Sequence, residues 1–573
     1  PKGIFLELIK PDGQPERQLC QYEALHMCLT DPINTYLRGN RKRGTVSKDR
    51  WGTTISFPED APGPIPVHTL ELTVCPDVTH WKNTVHVPDL SVCSEGWEEC
   101  RTRSRAAADA EGKLLAGFMG TGIFEQCHFL MGFENTLTAL YEHPDEMHEL
   151  IETITQYRLD YVRRLIDGLQ PDVIFSHDDW GTKNALFMKP DMWREFFKEP
   201  YRRFYGYIRS RGVIAIHHAD SYLVPIVDDM AEIGIQVWQG TLPENDIPAL
   251  QRHLSGKLTL MGGFGAAIDR ADAQPDEILA YARDTLARYC PGGHFIPSIT
   301  YGLAGTVFPH VDQYLDQAVN EYNAGLHILV TPLPAVPKRK ISEAKAEVVQ
   351  AAASAQESAD VFENIARALE RGQQKKLLTL CQQALDEGYE PGDILSKGMI
   401  IGMNRLGEAF SANRAFVPEM LMAARCMSAA TELLKPLMVG EGTEPVGRVC
   451  LGTVKGDMHD IGKNLVKIMM EGSGIEVFDL GTDASAEKFV DTAVQNHCGV
   501  IACSSLLTTT MEEMREVVRL VHERGLQDQI KVIIGGAPIS QSFCDEIGAD
   551  YYAEDAGASA REAVAILKAQ KAS

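Results

Sequence analysis

One histidine stands where an apolar run gives way to a helical pattern. In Gly452-Thr453-Val454-Lys455-Gly456-Asp457-Met458-His459-Asp460-Ile461-Gly462, His459 follows the acidic Asp457 by two places and precedes Gly462 by three. Val446 to Leu451 before it has the length of a strand, and Lys463 to Met470 after it has helical spacing. A histidine at such a turn is commonly a cap or a solvated loop residue. Two further stretches make chemistry the better reading, because each ends another apolar run. Val500-Ile501-Ala502-Cys503 leads into Ser504-Ser505-Leu506-Leu507-Thr508-Thr509-Thr510, and Val532-Ile533-Ile534 leads into Gly535-Gly536-Ala537-Pro538. Ligands of an open α/β sheet collect at the carboxyl ends of its strands, so all three loops are expected on one edge.

A second set of reactive groups lies earlier. His177-Asp178-Asp179-Trp180-Gly181, His217-His218-Ala219-Asp220-Ser221, Gly262-Gly263-Phe264 and Ser298-Ile299-Thr300-Tyr301-Gly302 each follow a strand-like run, at 172–175, 212–216, 258–261 and 294–297. Adjacent carboxylates such as Asp178 and Asp179 can orient a substrate or raise one another's pKa. The competing reading is a helix N-cap with one solvated partner; position favours chemistry for Asp179. Glu125, Glu244 and His310 are weaker candidates. Phe124, Phe129, Phe133, Trp180 and Trp238 either line an apolar pocket or fill the core, which is the commoner fate of aromatics.

The elements that must carry these groups follow from periodicity. Helical patterns at 145–168, 191–211, 222–233 and 275–289 alternate with the strands, which predicts a (β/α)₈ barrel over 1–335 with reacting groups on the loops after the strands. A proline-rich, then basic, then alanine-rich stretch makes 336–358 a linker. Residues 359–440 read as a bundle of four helices punctuated by Gly388, Pro391 and Pro418, and 445–573 as a Rossmann-like α/β domain. The 573 residues suffice for several cores. A formal charge of −24 argues against nucleic acid or an anionic membrane as the main partner. Thirteen cysteines lack paired spacing, and neither a signal peptide nor a membrane-length apolar run is seen, so a reducing cytoplasm is the expected location.

The Asp-x-His-x-x-Gly, Ser-x-Leu and Gly-Gly motifs over about 445–573 resemble the cobalamin-binding module shared by methionine synthase, mutases and corrinoid methyl-transfer proteins. The resemblance implies His459 as the lower axial ligand of cobalt, Asp457 as its hydrogen-bonded partner, and Ser504 as the end of that relay. A carboxylate on the far ring nitrogen fixes the tautomer of a metal-bound histidine, which agrees with that implication. It also implies that Gly462, Gly535 and Gly536 allow close approach of a buried nucleotide tail, with Thr508 donating to it. The four-helix stretch is similar to the cap over the upper face of the corrin, on the strength of Val417-Pro418-Glu419-Met420-Leu421-Met422-Ala423-Ala424. That similarity implies corrin contact for Met420, although methionines on helices usually fill core.

Residues 20–330 resemble the uroporphyrinogen decarboxylase superfamily and its corrinoid methyltransferase branch. The carrying residues are Gly122 to Glu125, Leu130 to Asn135, Asp178 to Gly181, and His218 through Glu232-Ile233-Gly234 to Trp238. Thiol-acting members hold zinc with His-x-Cys and a distant Cys. Here His218 falls at the histidine, Asp220 at the first cysteine and Tyr301 near the second, so a thiolate site is absent. The resemblance leaves open a metal, possible zinc, on His218 and Asp220, or acid and hydrogen-bonding roles for His218, Asp220, Asp179 and Tyr301. Porphyrinogen decarboxylation itself ranks low without an arginine-rich N-terminal motif.

Together the resemblances imply a corrinoid-dependent methyltransferase. A methyl ether or aromatic methoxyl donor would methylate cob(I)alamin, giving methylcobalamin for transfer to tetrahydrofolate or a similar carrier through a second methyltransferase, with a reductive activase to maintain the cofactor. A halomethane donor is the alternative, and a non-catalytic corrinoid carrier or sensor is the reading from another class.

Overall fold

The computed structural model describes residues 4–9, 15–20, 25–39, 41–57, 64–69, 71–265, 268–270, 272–299, 308–324, 361–412, 414–434, 437, 445–457, 461–505, 510–536 and 539–572. The chain divides into two compact units, 1–332 and 333–573.

In the first unit, seven strands lie side by side in chain order: β1 (Leu25–Cys28), β2 (Leu114–Met119), β3 (Val173–His177), β4 (Ile214–His218), β5 (Val237–Thr241), β6 (Thr259–Phe264) and β7 (Phe295–Ile299). Every neighbouring pair is parallel. Parallel strands in sequential order, each reached through a helical crossover, curl into a (β/α) barrel. Seven of the eight expected strands are among the described residues. Inside, Leu25, Ala116, Val173, Phe175, Ile216 and Met261 form a packed apolar core rather than a pore.

The helices obey the sequence pattern with two instructive departures. α1 (Ile123–Met131) follows β2, and α2 (Pro144–Leu169) buries Met147, Leu150, Ile151, Ile154 and Leu165 along one stripe, starting on a proline whose missing N–H costs nothing there. The helix expected over 191–211 is interrupted by a π turn at Arg194–Lys198 before α3 (Glu199–Ser210). Pro200 explains it: without an N–H it cannot continue the α ladder, and the wider turn absorbs the defect. Pro225 acts similarly, so the helix expected from Tyr222 starts only at Val227, after a 3₁₀ turn.

The second unit combines a helical bundle, α4 (Val361–Glu370), α5 (Gln374–Asp386), α6 (Ile400–Ser411) and α7 (Val417–Leu434), with a five-stranded parallel sheet. Its strands are β8 (Arg448–Thr453), β9 (Glu476–Asp479), β10 (Val500–Ser504), β11 (Lys531–Gly535) and β12 (Tyr551–Ala553), in the order β9-β8-β10-β11-β12. The order reverses beside β8, the switch point at which such sheets bind ligands. One apolar cluster runs from the bundle (Ile365, Leu369, Met403, Met420) into the sheet domain (Leu451, Met469, Ala502, Leu567).

Candidate functional site

At the carboxyl end of the barrel, His177 and His218 are register partners at the ends of β3 and β4. Their rings stack, with centroids 4.5 Å apart and planes inclined by 17°. Each has its Nδ1 engaged from outside. Glu125 Oε2 lies 2.9 Å from His177 Nδ1, and the Gln239 side-chain carbonyl meets His218 Nδ1 in a close hydrogen bond. The register of β5 shifts between Gln239 and Thr241, at Gly240 with φ +94°. A Cβ at Gly240 would stand 2.5 Å from the Ala219 carbonyl oxygen, so this bulge, which lies next to Gln239, requires glycine.

The loop after β3 splits its two carboxylates between the two expected roles. Asp178 is fully buried and accepts from the backbone N–H groups of Phe124 and Glu125 at 3.0 and 2.9 Å, so it caps α1 from a distant strand. Asp179 Oδ2 lies 3.9 Å from His177 Nε2, and its Oδ1 accepts from the Asp220 backbone N–H at 3.1 Å. Behind them Arg158, 3% exposed, donates to the carbonyls of Gly120 and Thr121 and to Ser176 Oγ. Thr121 there has a φ of +41°, so the guanidinium clamps a left-handed turn that orients α1 and thereby Glu125.

The electrostatics follow from partial enclosure. Burial disfavours charge on Glu125, but the adjacent His177 overrides it and holds the carboxyl at about 2. Burial likewise opposes charge on His177, yet Glu125, Asp179 and Asp220 raise it to about 10. Burial, reinforced by the neighbouring His177 charge, lowers His218 to about 4. Burial pushes Asp179 and Asp220 up to about 6, with mutual repulsion adding to the shift at Asp220. His177 and Asp179 keep 32% and 30% of their side-chain surface exposed, which leaves the cluster open to a substrate. One ligand atom each from His177, Asp179 and His218 lies within 4.8 Å of the other two, and no cysteine joins this group among the described residues. Trp180, Trp238 and Phe124 are fully buried and build the wall as core. Tyr301 lies outside the described residues.

In the second unit, Thr453, Ser504 and Gly535 are register partners across β8, β10 and β11, so the three motif loops leave one edge as expected. Asp457 is fully buried, and its Oδ2 accepts from Thr510 Oγ1 at 3.1 Å and Ser505 Oγ at 3.3 Å. The hydroxyl expected from Ser504 is therefore supplied by Ser505 and Thr510. Ser504 ends β10, where its carbonyl accepts from Val454 N–H at 3.0 Å, and the chain turns its hydroxyls inward only beyond that point. Gly536, with φ +141°, has no room for a side chain: a Cβ would sit 1.8 Å from the Ser505 carbonyl oxygen. Gly462 is the reverse, with no atom within 4 Å of the place a Cβ would occupy. Met420 is fully buried in the apolar cluster and fills core. His459 and Thr508 lie outside the described residues. A buried, hydroxyl-braced carboxylate on the loop that carries a histidine, with a glycine floor and open space at Gly462, is a donor set and cradle that fit a corrinoid.

Three segments of the chain are similar to known protein families. Residues 47–322 match the family described as uroporphyrinogen decarboxylase (URO-D), while 361–435 and 447–565 each match a B12 binding domain. Dimethylamine corrinoid protein 1 of Methanosarcina acetivorans is 38% identical over 209 residues, 36% of this chain and 98% of that protein. Corrinoid protein DSY3155 of Desulfitobacterium hafniense is 38% identical over 34% of this chain and 92% of its own length. The solved cobalamin-binding protein from Desulfitobacterium hafniense DCB-2 is 29% identical over 36% of this chain and 97% of that one, with a TM-score of 0.32. Through its C-terminal part the chain belongs to the corrinoid-protein family. With a uroporphyrinogen decarboxylase-type barrel on the same polypeptide, it is a corrinoid-dependent methyltransferase whose cofactor is cobalamin. Among the described residues no helix is long and apolar enough to cross a membrane.

Sequence reasoning named Glu125 only as a weaker candidate and left His177, Gln239, Ser505 and Thr510 without roles. His177 had a signal in its place at a strand end. Thr510 had one in its hydroxyl-rich loop, and Gln239 had none, because its contact depends on the bulge.

Proposed function

We propose that the barrel removes a methyl group from the oxygen of a methyl ether or aromatic methoxyl donor and delivers it to the corrinoid of the C-terminal module. From there the methyl group passes to tetrahydrofolate or a similar carrier through a second methyltransferase, and a reductive activase keeps the corrinoid competent. The carrying observation is the chemical make-up of the barrel mouth. His177, His218, Asp179 and Asp220 offer nitrogen and oxygen groups, and among the described residues no thiolate joins them to activate a sulfur acceptor or donor.

Bound corrinoid supplies the reduced cobalt nucleophile. An ether oxygen leaves poorly as an anion and needs a proton or a strong hydrogen-bond donor, whereas chloride does not. Asp220 is the acid in this reading; its backbone N–H is anchored on Asp179, and its carboxyl is near enough to Asp179, His218 and His177 to feel their charges. His218, with Nδ1 committed to Gln239, presents Nε2 to the donor. Asp178 and Arg158 hold the loops without touching the substrate. Proximity does the rest, since a donor fixed on the barrel meets a nucleophile tethered to the same chain.

The test is to reduce the purified holoprotein, add methoxylated aromatics, alkyl methyl ethers and chloromethane singly, and follow the cobalt absorption together with the demethylated product. Methoxylated donors are expected to give both changes, and His218→Ala to lose both while keeping its corrinoid. Turnover of chloromethane alone would overturn the oxygen donor. No change with any donor would favour a carrier or sensor. Independently, His459→Ala should alter the spectrum of the resting cofactor; an unchanged spectrum removes the axial-ligand assignment.

A further inference from the structure

Two thiols of the first unit face one another outside the histidine and carboxylate cluster. Cys28 ends β1, and Cys100 lies 72 residues further on, in the helix Trp97–Glu111. Their sulfurs are 3.5 Å apart and both side chains are buried. Ser104, one turn beyond Cys100, donates its hydroxyl to Cys28 Sγ at 3.4 Å, and Cys100 Sγ is also 3.8 Å from the Thr30 carbonyl oxygen. A sulfur that accepts from its neighbours is stabilised as thiolate, and these contacts, Cys100 first, bring the Cys28 thiol down to about 7. The same contact keeps the proton on Cys100. Plain burial does the opposite: it pushes the thiol of Cys450 up to about 12 and those of Cys127 and Cys503 well above the ordinary range. A cysteine that merely filled core would behave like those three.

We propose that Cys28 and Cys100 form a redox-modification site, a dithiol that hydrogen peroxide converts reversibly into a disulfide, with Ser104 as the positioning residue. The Cys28 thiolate attacks one peroxide oxygen, the O–O bond breaks, the departing oxygen takes a proton to leave as water, and a sulfenic acid forms. Cys100 then attacks that sulfur; the S–O bond breaks, a second water departs, and the S–S bond closes. Two thiols have given up two hydrogens and two electrons, and one peroxide has become two waters. The sulfurs must approach from 3.5 Å to about 2.05 Å, a closure of about 1.5 Å shared by two short side chains on regular elements. The helix is already moored, since Arg105 Nη1 donates to Asp172 Oδ2 at 2.6 Å just ahead of β3. The cover is thin. Thr30, whose carbonyl meets Cys100, is exposed and accepts from the exposed Arg103 at 2.9 Å, and Arg103 borders a surface hollow of about 640 Å³. A small oxidant enters when that surface bond opens. The disulfide closes a long loop and holds the barrel folded under oxidising conditions in which a reduced cobalt nucleophile does not persist.

The experiment reads the bond itself. Purified holoprotein in its resting, oxidised cofactor state is treated with hydrogen peroxide, the remaining thiols are alkylated under denaturing conditions, and the digest is mapped by fragmentation mass spectrometry. The expected product is one peptide pair joined through Cys28 and Cys100, two hydrogens lighter than the free pair and separated again by dithiothreitol. Cys100→Ala should stop at the sulfenic acid, trapped by dimedone on Cys28, whereas Cys28→Ala should take up no dimedone at Cys100. Ser104→Ala should raise the pH at which Cys28 is half alkylated in the native protein, a shift that lost packing alone would not produce. Urea denaturation identifies any variant that misfolds, and the oxidised wild type should hold its first unit folded to a higher midpoint than the reduced one. Wild-type protein whose Cys28 and Cys100 both stay alkylatable after an exposure that converts methionines to sulfoxides overturns the proposal, as does Cys28 joined to a different cysteine. Dimedone on Cys100 in Cys28→Ala, with none on Cys28 in Cys100→Ala, overturns the order of attack. None of these readouts depends on the identity of the methyl donor.

Discussion

Replacing Gly536 by alanine is the sharpest probe of the corrinoid cradle. The added Cβ would stand 1.8 Å from the backbone oxygen of Ser505 and 2.8 Å from its carbonyl carbon. Neither atom is a side-chain tip, so the loop after β10 must retreat by roughly 1.2 Å to restore a tolerable contact of about 3.0 Å. The backbone at φ +141° adds a conformational cost of about 1–3 kcal/mol for any residue with a side chain. The retreat carries with it Ser505 Oγ, already at 3.3 Å from Asp457, and breaks a bond to a fully buried carboxylate. A lost partner of that kind costs about 1–3 kcal/mol. The combined loss of roughly 2–6 kcal/mol should appear in two assays: a lowered midpoint in urea denaturation of the full chain, and cobalamin retained per mole of protein reduced at least about tenfold. An alanine variant that keeps wild-type cofactor content and midpoint would refute the claim that this glycine holds the Ser505–Asp457 contact in place.

Two further outcomes are expected. Thr510→Val removes the 3.1 Å donor from Asp457 without changing side-chain volume, and should lower stability by about 1–3 kcal/mol in denaturant titration; a change below about 0.5 kcal/mol would mean the hydroxyl is dispensable. Asp269, 6% exposed, accepts from Phe308 N–H at 2.9 Å, while burial and then Asp312 raise its carboxyl to about 7. A folded-state value above the unfolded one means that folding takes up a proton, so the stability it confers is complete below about pH 4 and is lost as pH climbs through about 7. Asp269→Asn should therefore melt higher than wild type above pH 7, by an amount on the order of 1 kcal/mol, with the gap closing towards pH 4; a pH-independent gap would point to a packing effect instead.

Much of this molecule was legible because strand and helix periods are local properties. The helix at Pro275–Tyr289 is bounded as the pattern predicts, and the three motif loops of the second unit leave one sheet edge because parallel strands end together. The choice between cap and catalyst at Asp178 needed the structure, since the helix it caps begins 55 residues earlier in the chain, at Ile123. Ser504 and Ser505 could not be told apart by sequence, because which hydroxyl turns inward depends on the residue at which β10 ends. Gln239 was invisible for a related reason: a one-residue bulge interrupts the register of β5 just beyond it. Of the aromatic series read as either pocket or core, Phe124, Trp180 and Trp238 are buried as core, with Trp180 stacked on His217 at 4.0 Å, whereas Phe129 and Phe133 are half-buried.

The seam between the bundle and the sheet domain is made of glycines facing thioethers. A Cβ on Gly407 would meet Met469 Cε at 2.5 Å, and one on Gly472 would meet Met403 Cγ at 2.6 Å. Interlocking of this sort joins two layers through unbranched, polarisable chains that can re-pack without breaking a hydrogen bond. The contact between the two layers can accordingly re-pack through methionine rotamers while the apolar cluster stays closed. Branched aliphatic residues in the same places, with fewer rotamers to choose from, would make the joint stiffer.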